Sequence, residues 1–201
     1  IGNNADLDDD NDGLNDTDED VNSNGTVDEG ETDPLDPDTD DDGVCDGPLA
    51  VEGVCTIGPD AFPTNATEWF DTDGDGIGNN ADLDDDNDGL NDTNEISSDP
   101  ATDPLKADTD GDGYCDGLIA VEGICEVGPD LFPTDPTDWA DNDEDGIGDN
   151  ADSDDDNDGL DDIVGDASGK GTSDEGETDP LDPDTDDDGV CDGPLAVEGV
   201  C

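Results

Sequence analysis

A short acidic pattern constrains this chain more than anything else in it: D-x-D-x-D-G-Φ-x-[DN], where Φ is apolar. The pattern begins at Asp8, Asp38, Asp71, Asp84, Asp108, Asp141, Asp154 and Asp184. A looser copy begins at Asp20, and a degenerate one at Asp166 carries Ser168 and Lys170 at its third and fifth positions. Alternate residues of a tightly curved segment point inward, so carboxylates at positions 1, 3 and 5 converge. Glycine at position 6 lets the backbone turn there. Position 7 then offers a carbonyl, and position 9 adds a carboxylate or amide, directly or through water. Hard cations take six to eight oxygens at ~2.3–2.6 Å, and Ca²⁺ tolerates irregular shells that Mg²⁺ does not.

This logic names the candidate ligands loop by loop. They are Asp8, Asp10, Asp12 and Asp16; Asp20, Asn22, Asn24 and Asp28; Asp38, Asp40, Asp42 and Asp46; and Asp71, Asp73, Asp75 and Asn79. Further along they are Asp84, Asp86, Asp88 and Asp92; Asp108, Asp110, Asp112 and Asp116; Asp141, Asp143, Asp145 and Asp149; Asp154, Asp156, Asp158 and Asp162; and Asp184, Asp186, Asp188 and Asp192. Position 12 divides the loops. Glu19, Glu31, Asp82, Glu95 and Asp152 stand there in five of them and can close the shell. The three loops that contain a cysteine have Leu49, Ile119 and Leu195 instead, so they need ligands from elsewhere, and Asp33, Asp103 and Asp179 are the nearest upstream candidates. Lys170 has donors and no acceptor, so the loop at Asp166 is expected to be empty or rebuilt near Asp174 or Glu177. With no histidine and no zinc-type cysteine spacing, an all-oxygen site suits Ca²⁺ or Mg²⁺.

Composition leaves few other ways to fold. Acidic residues number 67 against 2 basic ones, for a formal net charge of -65, and apolar residues make up only 27 %. Ordering a backbone costs roughly 1–2 kcal/mol per residue, which so few apolar groups cannot offset. Either the chain is a disordered polyanion or cations fold it. A random acidic tract does not hold glycine at a fixed sixth position, which favours cations. A basic nucleic-acid-binding face is excluded, and no apolar run is long enough to span a membrane.

The loops belong to a tandem repeat. The segment IGNNADLDDDNDGLNDT occupies 1–17 and 77–93, and a variant starts at Ile147. Offsets between copies alternate between 76 and 70 residues, and residues 30–55 and 176–201 are identical. The repeat units are 1–70, 71–140 and 141–201, the outer two cut short, so the sequence reads as a window on a longer array. No segment has a helical apolar stripe, and PLAVEGVC with its copies is too short for a sheet. The expected fold is mostly irregular: a calcium-stabilised tandem-repeat rod with little or no regular secondary structure.

Successive loops follow one another at 12 or 13 residues in places, leaving no room for the helices that flank EF-hand or dockerin loops. The apolar residue falls at position 7 (Leu14, Val44, Ile77, Leu90, Tyr114, Ile147, Leu160, Val190), and in one class of loop a cysteine follows it. The chain resembles the thrombospondin type 3 repeat over nearly its whole length. That resemblance implies a chain without regular secondary structure, wrapped around a line of Ca²⁺ ions and stapled by disulfides. The inserts GPDAFPTNATEW and GPDLFPTDPTDW depart from the core motif.

Six cysteines allow fifteen pairings. Closure within each C-x9-C pair costs the least loop entropy and favours Cys45–Cys55, Cys115–Cys125 and Cys191–Cys201, with cross-linking between molecules as the alternative. Phe62 with Trp69, and Phe132 with Trp139, form either a local cap or a contact surface between chains. Asn15, Asn24, Asn65 and Asn91 open N-x-T triplets, of which Asn65 suits a sugar best.

These features describe a calcium-binding structural array, not an enzyme: a fibre, stalk or spacer, extracellular or on the cell surface. No catalytic residues are expected. The alternative is a calcium-dependent adhesin region of a cell-surface protein. Self-association into filaments or bundles is expected, with neither nucleic acid nor membrane insertion.

Overall fold

The computed structural model describes residues 6–126, 128–165 and 177–201. It has two compact units, Ile1–Asp86 and Asn87–Cys201. Each is a chain of turns, as the density of Asp, Asn and Gly dictates. Regular structure among the described residues amounts to three short helices and a few isolated bridges.

The helices are α1 (Asp16–Glu19), α2 (Asp92–Ser97) and α3 (Asp162–Gly165). Each starts at position 9 of an acidic loop. Asn15 and Asn91, in extended conformation, precede α1 and α2. Acidic residues in the first turn suit the positive end of the helix dipole. With no basic residue in the last turn, nothing favours extension. One turn is enough to place position 12: Glu19 and Glu95 are both buried by their helices.

All three local disulfides are formed, Cys45–Cys55, Cys115–Cys125 and Cys191–Cys201. In the first unit the Cys-loop carries bridges between Val44 and Ile57 and between Val51 and Cys55. In the second, Tyr114 pairs with Glu126 and Val121 with Cys125 in the same way. These pairings turn the chain back at the first two PLAVEGVC-like segments.

The interior is chemically inverted. Among the described residues, the buried apolar side chains are Val44, Cys45, Cys55, Ala107, Cys115 and Cys125, whereas 17 Asp and Glu side chains are buried. A carboxylate has no reason to leave water unless something pairs with it. The fold therefore gathers anions where an ordinary domain gathers Leu and Val.

Each Cys-loop docks onto an earlier acidic loop of its own unit. In the first unit the N–H of Leu49 donates to the carbonyl of Asp12 at 2.6 Å. In the second, Ile119 donates to Asp88 at 2.7 Å and Leu195 to Asp158 at 2.6 Å. The same three apolar side chains lie against Gly13, Gly89 and Gly159, where a Cβ would sit about 3 Å from them. This accounts for an apolar residue at position 12 of the Cys-loops: it packs on the turn glycine of the loop below.

Candidate metal centres

Within each loop the carboxylates turn the chain by accepting backbone N–H groups. At position 1, Asp38, Asp71, Asp108, Asp141 and Asp184 accept the N–H of the position-6 glycine at 2.7–3.1 Å. At position 3, Asp10, Asp40, Asp73, Asp110 and Asp143 accept the N–H of position 5. At position 5, Asp12, Asp42, Asp75, Asp112, Asp145 and Asp188 accept the N–H of position 7. Position 9 reaches back to position 2, as Asp16 does to Asp9 and Asp149 to Asn142. At position 1 both oxygens of Asp38, Asp71, Asp108, Asp141 and Asp184 accept backbone N–H groups, whereas Asp10, Asp40, Asp42, Asp110, Asp112 and Asp143 at positions 3 and 5 hold the turn with one oxygen and keep the other.

Position 4 completes the turn. Asn11, Asp41, Asn87, Glu144, Asn157 and Asp187 have positive φ there, with Gly74 and Gly111 in the other two loops. Asn, Asp and Gly tolerate that conformation best. The recurrence of these types at position 4 is the sequence signal for it.

The converging oxygens form groups that could hold a metal ion. Asp8, Asp10 and Asp12 bring one oxygen each within 4.8 Å of one another, as do Asp38, Asp40 and Asp42, and Asp71, Asp73 and Asp75. A further group joins two loops: Asp12, Glu19 and Asp46, all buried. Sequence spacing separates Asp46 from Asp12 and assigns them to different loops. Docking of the Cys-loop unites them. In the second unit Asp88, Glu95 and Asp116 occupy the equivalent positions and are likewise buried. Thr32 and Thr102 donate to Glu19 and Glu95 at 3.1 and 3.2 Å, orienting both glutamates.

The electrostatics match a site built for a cation. Burial, followed by the charges of Asp10, Asp12 and Asp46, raises the Glu19 carboxyl to about 8. Burial raises Asp10 and Asp46 to about 6. Buried carboxyl oxygens of Asp10, Glu19, Asp40, Asp42, Asp110, Asp112 and Asp143 have no hydrogen-bond partner. Such atoms are costly to bury. The chemistry that best offsets the cost is coordination of a hard cation by anionic oxygen.

Not every sequence-derived position is arranged alike. In the loop at Asp20, the amides of Asn22 and Asn24 donate to Asp28 at 2.9 and 2.8 Å, and Asn22 donates to Glu31 at 3.0 Å. These bonds bring Asn22, Asn24, Asp28 and Glu31 together. The loop at Asp84 runs across the division between the two units. The loops at Asp141 and Asp154 adjoin, and Asp155 lies half-buried with its carboxyl raised to about 7 by burial and by the charges of Asp162, Asp149 and Asp152. Asp155 stands at position 2, which the ligand pattern does not include. In the Cys-loop at Asp184, Asp186 and Asp188 are exposed. The loop at Asp166, with Ser168, Lys170 and Asp174, lies outside the described residues.

The upstream candidates for the Cys-loops have other partners. Asp33, Asp103 and Asp179 accept the N–H of Leu35, Leu105 and Leu181 and so close Asp-Pro-Leu turns. Asp103 also pairs with Lys106 at 2.8 Å, which lowers its pKa. The inserts instead contribute buried carboxylates that the core motif misses. Asp60 and Glu68 are buried in one insert, Asp130 and Asp138 in the other. Glu68 and Asp138 receive the N–H of Asn80 and Asn150, tying each insert to the loop that follows. The repeated GPD triplet at 58–60 and 128–130 is the sequence signal for Asp60 and Asp130. Trp139 stacks on Tyr114 with ring centroids 4.7 Å apart, so this tryptophan has a partner within its own repeat.

No family model matches the sequence, and no curated protein is significantly similar to it. What the structure establishes is a mostly irregular fold with three disulfides and several Asp-rich groups able to hold metal ions. The disulfides point to an oxidising, extracellular-type environment. Among the described residues, no helix is long and apolar enough to cross a membrane.

Proposed function

We propose that this chain is an extracellular calcium-binding structural repeat array, serving as a fibre, stalk or spacer. The observation that carries the reading is the inverted interior: 17 buried Asp and Glu side chains, with converging oxygens in loop after loop. The metal is Ca²⁺, because the donors are all oxygen, the loops are irregular and their carboxylates are many. The resemblance to thrombospondin type 3 repeats agrees with this. Binding energy in such a chain is folding energy. The array is therefore a rod in millimolar calcium and a swollen polyanion without it.

Repetition suits a spacer. Each unit is built around its own cations, so length is added without enlarging a core. The array also associates with itself. Leu49, Leu118 and Leu195 are exposed at recurring places, and a contact made once can be made again along the array.

Small-angle scattering of the oxidised chain, with calcium and then with excess chelator, tests the reading. The expected result is expansion from an elongated, ordered particle to a coil. Identical scattering in both conditions would remove calcium as the folding agent.

A further inference from the structure

The two Cys-loops at Asp38 and Asp108 lack a carboxylate at position 12. In each, the position-3 and position-5 carboxylates keep a buried oxygen with no hydrogen-bond partner: Asp40 and Asp42 in the first, Asp110 and Asp112 in the second. Oδ2 of Asp60 and Oδ2 of Asp130 are likewise buried without a hydrogen-bond partner. Asp60 is 7 % exposed and Asp130 5 %.

The chain delivers these two residues in one way. The N–H of Asp60 donates to the carbonyl of Cys45 at 2.9 Å, and that of Asp130 to Cys115 at 2.9 Å. The other carboxylate oxygen, Oδ1, accepts the N–H of Phe62 or Phe132 at 2.6 or 2.7 Å. One oxygen thus shapes the turn and the other is left over, as at positions 3 and 5 of the acidic loops. Gly58 and Gly128 permit the approach: a Cβ on either would stand 2.0 Å from a carbonyl oxygen of the Cys-loop. Asp60 feels the charges of Asp42, Asp40 and Asp38, and Asp130 those of Asp112, Asp110 and Asp116.

We propose that Asp60 and Asp130 are cation ligands, each closing the centre of the Cys-loop before it in place of the missing position-12 carboxylate. The disulfide lets this happen at a distance. It folds the intervening residues into a closed side loop, so that a residue 22 places after Asp38 reaches the same centre as one 4 places after it. The inserts are thereby parts of the metal sites and not decorations on them. This inference rests on the reading of the array as a calcium binder.

The test is calorimetric titration of Ca²⁺ into the full oxidised chain after chelator removal, comparing wild type with Asp60→Asn/Asp130→Asn and Asp33→Asn/Asp103→Asn. The first double variant is expected to weaken two of the bound ions at least about tenfold, as loss of a supporting or direct ligand does. The second is expected to match wild type. Wild-type stoichiometry and affinity in the first variant would overturn the assignment, as would loss of the same two ions in the second. A wild-type chain that takes up no calcium at millimolar concentration would instead overturn the reading beneath it.

A second measurement does not depend on the stability of the double variant. With Trp69→Phe, Tyr114 and Trp139 remain to sensitise a Tb³⁺ ion held by the Asp108 loop. Adding Asp130→Ala removes the carboxylate, leaves its place to water and is expected to shorten the sensitised emission lifetime in H₂O relative to D₂O. An unchanged lifetime would show that Asp130 does not touch the ion.

Discussion

The carboxylate of Asp12 accepts the N–H of Gly47, 35 residues further along, while its own carbonyl accepts that of Leu49. Asp88 with Gly117 and Ile119, and Asp158 with Gly193 and Leu195, repeat the arrangement. The fifth residue of an acidic loop is thus at once a candidate ligand, a turn former and the anchor for the Cys-loop. The glycine is required by contact: a Cβ on Gly47 would stand 2.6 Å from Asp12 oxygens.

Gly47→Ala is therefore expected to push the Cys-loop off its anchor. Overpacking of this kind costs about 1–3 kcal/mol. Thermal unfolding in millimolar calcium should show the loss, and the Asp12, Glu19 and Asp46 centre should weaken with it. Unchanged stability would show that the two loops yield freely.

Glu19→Gln should act in opposite directions with and without calcium. The side chain is buried beside Asp10, Asp12 and Asp46. With calcium, removing a ligand charge should lower affinity at least about tenfold. With chelator at pH 8, removing a buried anion from among other anions should stabilise what compact structure remains. Equal effects in both conditions would mean that Glu19 supports the fold without meeting a cation.

In chelator, compactness should depend on pH with a definite sign. Burial, then neighbouring carboxylates, raises Glu19 to about 8, Asp130 to about 7 and Asp60 to about 6. Unfolded carboxyls titrate near ~4. Between these limits the folded state holds more protons than the unfolded one, so stability is present at low pH and lost as pH rises through about 6 to 8. Hydrodynamic radius in chelator should grow over that window and stay constant in excess calcium. Calcium binding at neutral pH should also release protons. A chelated chain whose size ignores pH would contradict the sign.

Cys45→Ser/Cys55→Ser opens a loop spanning 10 residues and should cost about 2–3 kcal/mol. Because Asp60 hangs on the Cys45 carbonyl, calcium at the Asp38 centre should weaken as well. Stability lost with calcium affinity kept would uncouple the disulfide from the site.

Assembly has its own measurement. Trp69→Ser/Trp139→Ser removes the insert tryptophans, one of which stacks on Tyr114, a pair worth about 0.5–1.5 kcal/mol beyond its buried area. Electron microscopy at millimolar calcium should show filaments or bundles in wild type and fewer in the variant. Filaments indistinguishable from wild type would leave the inserts as local parts of the metal sites.

By itself the sequence determined the chemistry and the local geometry. The Asp ladder with its glycine specified loops whose carboxylates converge, because an acidic side chain two residues back is the nearest acceptor for a turning backbone. The spacing of cysteines specified short disulfides, because short loops close at least entropic cost. The scarcity of apolar residues specified a mostly irregular chain. Only the tertiary structure decided which loops share a centre. Asp46 joins Asp12 and Glu19 through docking of one loop on another, and Asp60 is held on the Cys45 carbonyl. Ligand spacing along the chain carries no record of such docking. Asp33 and Asp103 looked closer in sequence, but their turns and Lys106 hold them. The physical reason is that a cation is indifferent to the order of its oxygens along the chain: it selects those that the fold delivers to one point.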